Sequence, residues 1–195
     1  MIDILGRAPH AETLRDLIIM RAALGGKPFL ICRDETLTYG DADRLSNQVA
    51  NRLLDKGIGK GDVVATLMYN STQQALIWFA CAKIGAVYAA LNVSLVKDDL
   101  CYSLDDTKAK LFVVDEELAP AYIAAKPGLA ADPEVLVLGD IAAVPGALPF
   151  EDLLGGDESL PDAEVAAADP MCIVYTGGST SMPKGVLVSH LYYIA

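Results

Sequence analysis

The 195-residue sequence predicts an α/β protein, a three-layer α/β/α sheet with helices on both faces. Three observations carry that expectation. Val63–Met68 is an apolar, β-branched run suited to a central strand, and Ala86–Leu91 and Lys110–Val114 are further buried strand candidates. Segments with apolar residues at helical spacing alternate with those runs, and the alternation strand–helix–strand–helix favours a sheet covered by helices. Near the end, the apolar run Met171–Tyr175 opens into a loop of hydroxyl residues, two glycines and a lysine before a second apolar run, Val186–Val188.

Each element follows from its residues. Leu14 to Leu24 is the first expected helix, capped by Thr13 with Asp16 three residues on, and stopped by Gly25 and Gly26. Leu14, Leu17, Ile18 and Arg21 give it a mostly apolar face. Pro28–Cys32 and Thr36–Tyr39 read as two strands of a hairpin around Arg33-Asp34-Glu35. A long helix is expected over Gly40–Lys56. Leu45, Val49, Leu53 and Leu54 make its apolar side, and Asp41, Arg44, Asn47, Gln48 and Arg52 its wetter side. Gly57 and Gly59 end it. After the strand at Val63, Asn70-Ser71-Thr72 starts a strongly apolar helix to Lys83, which Gly85 ends. Val96–Asp106 is the next helix, with Leu100 and Leu104 at i,i+4. Glu117–Ala125 is a short helix candidate and Val135–Leu138 a strand. Gly156–Asp169 is polar, acidic and aperiodic, and is expected to cross the surface towards the Met171 strand.

Composition narrows the function classes. A hydrophobic fraction of 53% against 21% charged residues is that of a globular chain. The formal net charge of -11 argues against nonspecific DNA or RNA binding, so no nucleic-acid partner is expected. Cys32, Cys81, Cys101 and Cys172 are widely and irregularly spaced, without a zinc or iron–sulfur pattern. They read as buried free thiols of a reducing compartment. The first residues lack the uninterrupted apolar segment of a signal peptide. The apolar stretch Ala75–Val96 contains Lys83, whose insertion into lipid would cost about 2.5–3.5 kcal/mol, so no transmembrane segment is expected. The expected location is cytoplasmic.

The stretch around Thr176 carries the chemistry. A strand delivers Thr176 to the end of a sheet, where ligands of open α/β sheets bind. Gly177 and Gly178 let backbone N–H groups approach an anion, Thr176, Ser179, Thr180 and Ser181 add neutral donors, and Lys184 adds a mobile positive charge. Pro183 stiffens the exit. The order Lys184-Gly185-Val186 is not the Gly-Lys-Ser/Thr of a Walker A loop, and no Gly-x-Gly-x-x-Gly opens a helix here. The same residues also fit a solvent-facing turn rich in small side chains. His190 reads as a helix cap or a partner of a backbone group, His10 as a surface residue, Lys83 as structural, Cys172 as core, and Tyr192 and Tyr193 as core or helix residues.

Tyr175-Thr176-Gly177-Gly178-Ser179-Thr180-Ser181-Met182-Pro183-Lys184-Gly185-Val186 resembles the AMP-binding signature of the adenylate-forming superfamily, which includes acyl-CoA synthetases, peptide-synthetase adenylation domains and beetle luciferases. Thr176, Gly178, Thr180, Pro183, Lys184 and Gly185 fit the signature directly. Ser179 keeps the hydroxyl of a usual threonine, Gly177 stands where a serine is usual, and Ser181 where a glycine is usual. Leu37-Thr38-Tyr39-Gly40, Gly61-Asp62-Val63-Val64-Ala65, Lys83-Ile84-Gly85-Ala86-Val87, Leu91-Asn92 and Lys110-Leu111-Phe112-Val113 extend the likeness over most of the chain.

The resemblance implies a function. The whole enzyme would join a small-molecule carboxylic acid to AMP from ATP and pass the acyl group to coenzyme A, with Mg2+ sharing the charge of the phosphates. Thr176, Gly177, Gly178, Ser179, Thr180, Ser181, Lys184 and Gly185 would bind the nucleotide. Lys184 would act catalytically by stabilising phosphate charge and not as an acid or base. A fatty acid or related acid is the favoured substrate class. No metal ligand is assigned in this chain. The resemblance further implies that residues 1–195 are the N-terminal part of an acyl-CoA synthetase-like large domain, cut shortly after the loop 175–185, with the C-terminal domain absent. Such a piece would be inactive alone and inclined to self-associate through uncovered apolar surface. The alternative is a noncatalytic α/β nucleotide-binding or interaction module.

Overall fold

A computed structural model describes residues 11–176 and 183–195. It contains the expected layers. Helix α1 (Leu14–Ala22) precedes a hairpin of β1 (Pro28–Cys32) and β2 (Glu35–Thr38), then α2 (Tyr39–Asp55). The sheet-forming part follows as β3 (Val63–Leu67), α3 (Thr72–Ile84), β4 (Val87–Ala90), α4 (Lys97–Thr107), β5 (Leu111–Asp115), α5 (Ala119–Ala125), β6 (Glu134–Leu138), β7 (Leu148–Pro149), β8 (Pro170–Thr176) and β9 (Lys184–Ser189). Among the described residues, seven strands form one sheet in the order β7-β6-β5-β3-β4-β8-β9. All its pairings are parallel except β8–β9, which is antiparallel.

Strand periodicity divides the core in two, because successive residues of a strand face opposite sides. Val64, Tyr88, Leu111, Val113 and Leu136 point to one side, where α2 and α3 supply Val49, Leu53, Leu76, Ile77 and Ala80. Ala65, Leu67, Ala89, Phe112, Val114 and Val137 point to the other, against Leu100 and Leu104 of α4 and Ala119 and Tyr122 of α5. Full burial of a side chain such as Phe112 or Leu104 contributes about 1.5–3 kcal/mol.

Helix starts follow the expected capping chemistry. Thr13 accepts from the Asp16 amide and Asp16 accepts from the Thr13 amide, a reciprocal box that Thr38 and Asp41 repeat on α2. Ser71 caps α3. Gly85, at φ 71°, ends α3 in the left-handed conformation. Most expected boundaries shift by a residue or two, and two shifts concern helix ends. Helix α1 stops at Ala22, ahead of Gly25 and Gly26. Tyr39 opens α2 instead of finishing β2, because the Thr38 cap already turns the chain.

The polar side of α2 is solvent-facing only in part: Asp41, Arg44 and Arg52 keep 41%, 45% and 43% of their side chains exposed. Asn47 and Gln48 are buried. The segment 155–159 lies over them: Asn47 Nδ2 donates to the Glu158 carbonyl at 2.9 Å, Gln48 Nε2 to Glu158 Oε1 at 2.8 Å, and Gln48 Oε1 accepts from the Gly155 amide at 3.0 Å. Asn51 Nδ2 donates to the carbonyls of Asp157 and Ser159, both at 2.9 Å. These bonds strap the acidic connection across α2 before it reaches β8.

Lys83 is structural, as expected, and fully buried. Its ammonium donates to Asp43 Oδ1 at 2.7 Å, Asn47 Oδ1 at 2.7 Å, Ser46 Oγ at 2.8 Å and the Asp43 carbonyl at 2.9 Å, tying α3 to α2. Burial pushes its pKa down, and Asp43 pulls it back up. Two other expectations need correction. Cys81 and Cys172 are buried free thiols, whereas Cys32 and Cys101 are only half-buried. His190 is fully buried, and neither ring nitrogen has a partner among the described residues, so its side chain neither caps nor meets a backbone group. It opens a short 3-10 turn, His190–Tyr193, in place of an α-helix.

Candidate functional site

The loop from Thr176 to Lys184 is closed by the β8–β9 hairpin. Cross-strand partners run Val174–Val186, Tyr175–Gly185 and Thr176–Lys184, so Thr176 and Lys184 face each other at the loop's root. The Thr176 hydroxyl donates weakly to the Lys184 carbonyl, at 3.4 Å. Gly177, Gly178, Ser179, Thr180 and Ser181 lie outside the described residues, as does His10. The structure therefore brings together three of the expected residues, Thr176, Lys184 and Gly185. Strand β8 runs parallel to β4 and β4 to β3, which puts the loop's root at the carboxyl edge of the parallel strands.

Two further features hold the root. The Tyr175 phenol donates to Asp106 Oδ2 at 2.9 Å, with the Ser103 carbonyl at 3.1 Å, both on α4. Burial and the Asp106 carboxylate together push the phenol's pKa up. Gly185 allows the close crossing opposite. A Cβ there would stand 2.9 Å from Ile173 Cγ2, 3.3 Å from Asp106 Oδ2 and 3.4 Å from Tyr175 Cε1.

Beside the hairpin is a hollow of about 230 Å3, lined by Trp78, Tyr88, Ala90, Tyr193 and the β8 residues Cys172–Tyr175. It adjoins a shallower one of about 450 Å3 that shares Trp78, Tyr88 and Ala90 and reaches Asn70 and Ser71 at the start of α3. Sequence reasoning missed both. Trp78 lies within an apolar helix and Tyr88 within a strand, and only sheet order sets them beside β8. The Tyr88 hydroxyl and Thr66 Oγ1 are 2.9 Å apart.

A separate crevice of about 680 Å3 opens at the ends of β3, β5 and β6, under the β1–β2 turn. Connections from β3 and β5 leave towards opposite faces there. Its lining includes Asp34, Glu35, Asp115, Glu116, Glu117 and Glu151 against Arg33. Asp115 Oδ2 accepts from the Tyr69 amide at 2.6 Å, and burial raises its pKa. That field repels a polyphosphate. Among the described residues, no group of three or more His, Cys, Asp or Glu side chains is placed to hold a metal ion. Among them, too, no helix is long and apolar enough to cross a membrane.

Comparison with known proteins agrees with this fold. The AMP-binding enzyme family matches residues 21–195. A 3-hydroxybenzoate–CoA/4-hydroxybenzoate–CoA ligase of Thauera aromatica is 33% identical over 168 residues, 86% of this chain and 32% of that ligase. A long-chain-fatty-acid–CoA ligase of Mycobacterium tuberculosis is 34% identical over 157 residues, 80% of this chain and 30% of that protein. The crystal structure of an anthranilate CoA ligase in complex with anthranoyl-AMP superposes with a TM-score of 0.86 at 25% identity, covering 95% of this chain and 36% of that one. The chain spans about a third of the length of these relatives. Since the match takes in both core layers and both strands of the loop-bearing hairpin, the chain belongs to the AMP-binding enzyme family.

Proposed function

We propose that residues 1–195 are the N-terminal part of an AMP-forming ligase that activates a carboxylic acid with ATP and passes the acyl group to coenzyme A. The observation that carries this reading is the hairpin root, Thr176 opposite Lys184 at the carboxyl edge of the sheet, within a family match that runs to residue 195.

In the first step a carboxylate oxygen forms a bond to the α-phosphorus of ATP. The bond from that phosphorus to the bridging oxygen breaks, and pyrophosphate leaves with the electron pair. Charge accumulates on the leaving group, so fixed donors that meet it there lower the barrier. Lys184 supplies the positive charge, Thr176 a hydroxyl, and Gly177, Gly178, Ser179, Thr180 and Ser181 the amides and hydroxyls between them. Gly185 keeps the returning strand close. In the second step the thiol of coenzyme A displaces AMP from the acyl carbon. Magnesium would arrive with the nucleotide, and no residue of this chain is assigned to it.

The acid is assigned as a class. The relatives' names divide between aromatic and long-chain acids. The free thiols fit a reducing compartment, and we place the protein in the cytoplasm. The test is carboxylate-dependent ATP–pyrophosphate exchange by the full-length protein, over benzoates and medium- and long-chain acids. Exchange with at least one acid is expected, and Lys184→Ala is expected to reduce it about a hundredfold or more. The 195-residue chain alone should be silent. No exchange with any acid, together with a monomeric full-length protein that still binds ATP, would favour a noncatalytic nucleotide-binding module.

A further inference from the structure

We propose that Asp106, on the last turn of α4, is a positioning residue that sets the register of the phosphate loop. This rests on the function proposed above, since it concerns the same loop. One carboxylate oxygen meets both stems of the hairpin. It accepts the Tyr175 hydroxyl at 2.9 Å, and it lies 3.3 Å from where a Cβ on Gly185 would stand. Tyr175 and Gly185 are cross-strand partners, one pair below Thr176 and Lys184.

The arrangement has a physical logic. Glycine in a strand offers no side chain to its partner and weakens the pair, and an aromatic ring laid across it restores the lost contact. Here the Tyr175 ring covers Gly185, with Cε1 at 3.4 Å from the position of a Cβ. The phenol end is then fastened to α4 by Asp106 and the Ser103 carbonyl. A slip of one residue in this pairing would turn Thr176 and Lys184 to the wrong faces. Beyond that pair, Thr176 and Lys184 are ladder partners, and the side-chain contact among the described residues is the weak one of 3.4 Å between the Thr176 hydroxyl and the Lys184 carbonyl. The β4–β8 pairing holds the hairpin in the sheet at Cys172 and Ile173, and the α4 contact fastens it nearer the loop, at Tyr175. A carboxylate beside an anion site is electrostatically adverse, and its engagement with the phenol gives it a geometric task instead.

Four variants of the full-length protein test this: Asp106→Ala, Asp106→Asn, Tyr175→Phe and the Asp106→Ala/Tyr175→Phe double. Asp106→Ala and Tyr175→Phe should each lower kcat/KM for ATP in pyrophosphate exchange at least about tenfold, the scale of one lost hydrogen bond to a charged group. The KM for the acid should not change. Asp106→Asn should rescue, because its amide oxygen still accepts the phenol, and the double variant should be no worse than either single one. A second readout does not need activity. Amide hydrogen exchange of the β8–β9 peptide should quicken in Asp106→Ala while the β3 and β5 peptides stay protected. Unchanged hairpin exchange, or additive losses in the double variant, overturns the role of Asp106. A wild-type protein silent with every acid overturns the proposed function instead, and the exchange measurement still decides Asp106.

Discussion

Replacing Lys83 by methionine isolates the α2–α3 tie. Methionine keeps an unbranched apolar stem of similar length, so the packing of α3 is largely retained. What disappears is the donor shared by Asp43 Oδ1, the Asp43 carbonyl, Ser46 Oγ and Asn47 Oδ1. Ser46 and Asn47 are buried and have no access to replacement water, and each orphaned neutral acceptor costs about 1–3 kcal/mol. The Asp43 side chain is 28% exposed and rehydrates in part, which keeps the loss from that charge small. The sum falls in the range of about 3–5 kcal/mol measured when one partner of a buried pair is removed. For a chain of this size that corresponds to a fall in Tm of about 6–20 °C. Urea unfolding followed by circular dichroism gives the free energy, and a scan gives the midpoint. A Lys83→Met/Asp43→Asn double variant should recover part of the loss, because the uncompensated carboxylate is gone. A loss below about 1 kcal/mol for Lys83→Met would refute the reasoning, since it would mean that these acceptors are satisfied without the ammonium.

Two more outcomes follow from buried and exposed extremes. Burial depresses the His190 pKa, with Asp169 and Asp16 opposing and Lys60 reinforcing the shift. The unfolded imidazole takes its proton near the ordinary value of 6.5, and the folded one only at lower pH. Stability from this group is thus complete above that value and declines as pH falls below it. His190→Met should flatten that acid slope in urea unfolding, and parallel slopes would sink the assignment. At the other extreme, β9 is a sheet edge with Val186 47% and Leu187 61% exposed. The 195-residue chain should self-associate with rising concentration in sedimentation velocity, and Leu187→Lys should suppress it. A monodisperse wild-type chain at high concentration would contradict the edge argument.

The layers were legible because local signals agreed with each other. Thr13 with Asp16, Ser71 before Thr72 and Gly85 after Ile84 mark their helices by capping chemistry that needs no distant partner. The strands at Val63 and Leu111 announce themselves by uninterrupted apolar runs. The misreadings share a different origin. Asn47 and Gln48 look like solvent-facing residues until Glu158, more than a hundred positions away, is laid on them. Lys83 was legible as structural, although its four acceptors were not, since three come from another helix's side chains. A polar residue after a strand suggests a cap, whereas the burial of His190 is set by packing that no local pattern encodes. At the site, residue types and spacing pointed to Thr176, Lys184 and Gly185. They gave no hint of Asp106 or of the Trp78–Tyr88 hollow, because both depend on β8 lying beside β4.

The strap across α2 also dictates a sequence of events. Strand β8 takes its place next to β4, on the opposite side of β3 from β7, so the chain must leave one flank of the sheet and return on the other. Contacts between residues this far apart have a high loop-closure cost and form slowly. During synthesis β3 to β7 emerge first, with their helices, and can collapse on their own hydrophobic layers. Only a finished α2 face then offers Asn47, Gln48 and Asn51 as a landing strip for residues 155–159. By this logic the β8–β9 hairpin joins the sheet after β3 to β7, and a chain whose α2 face has misfolded lacks the surface on which residues 155–159 land.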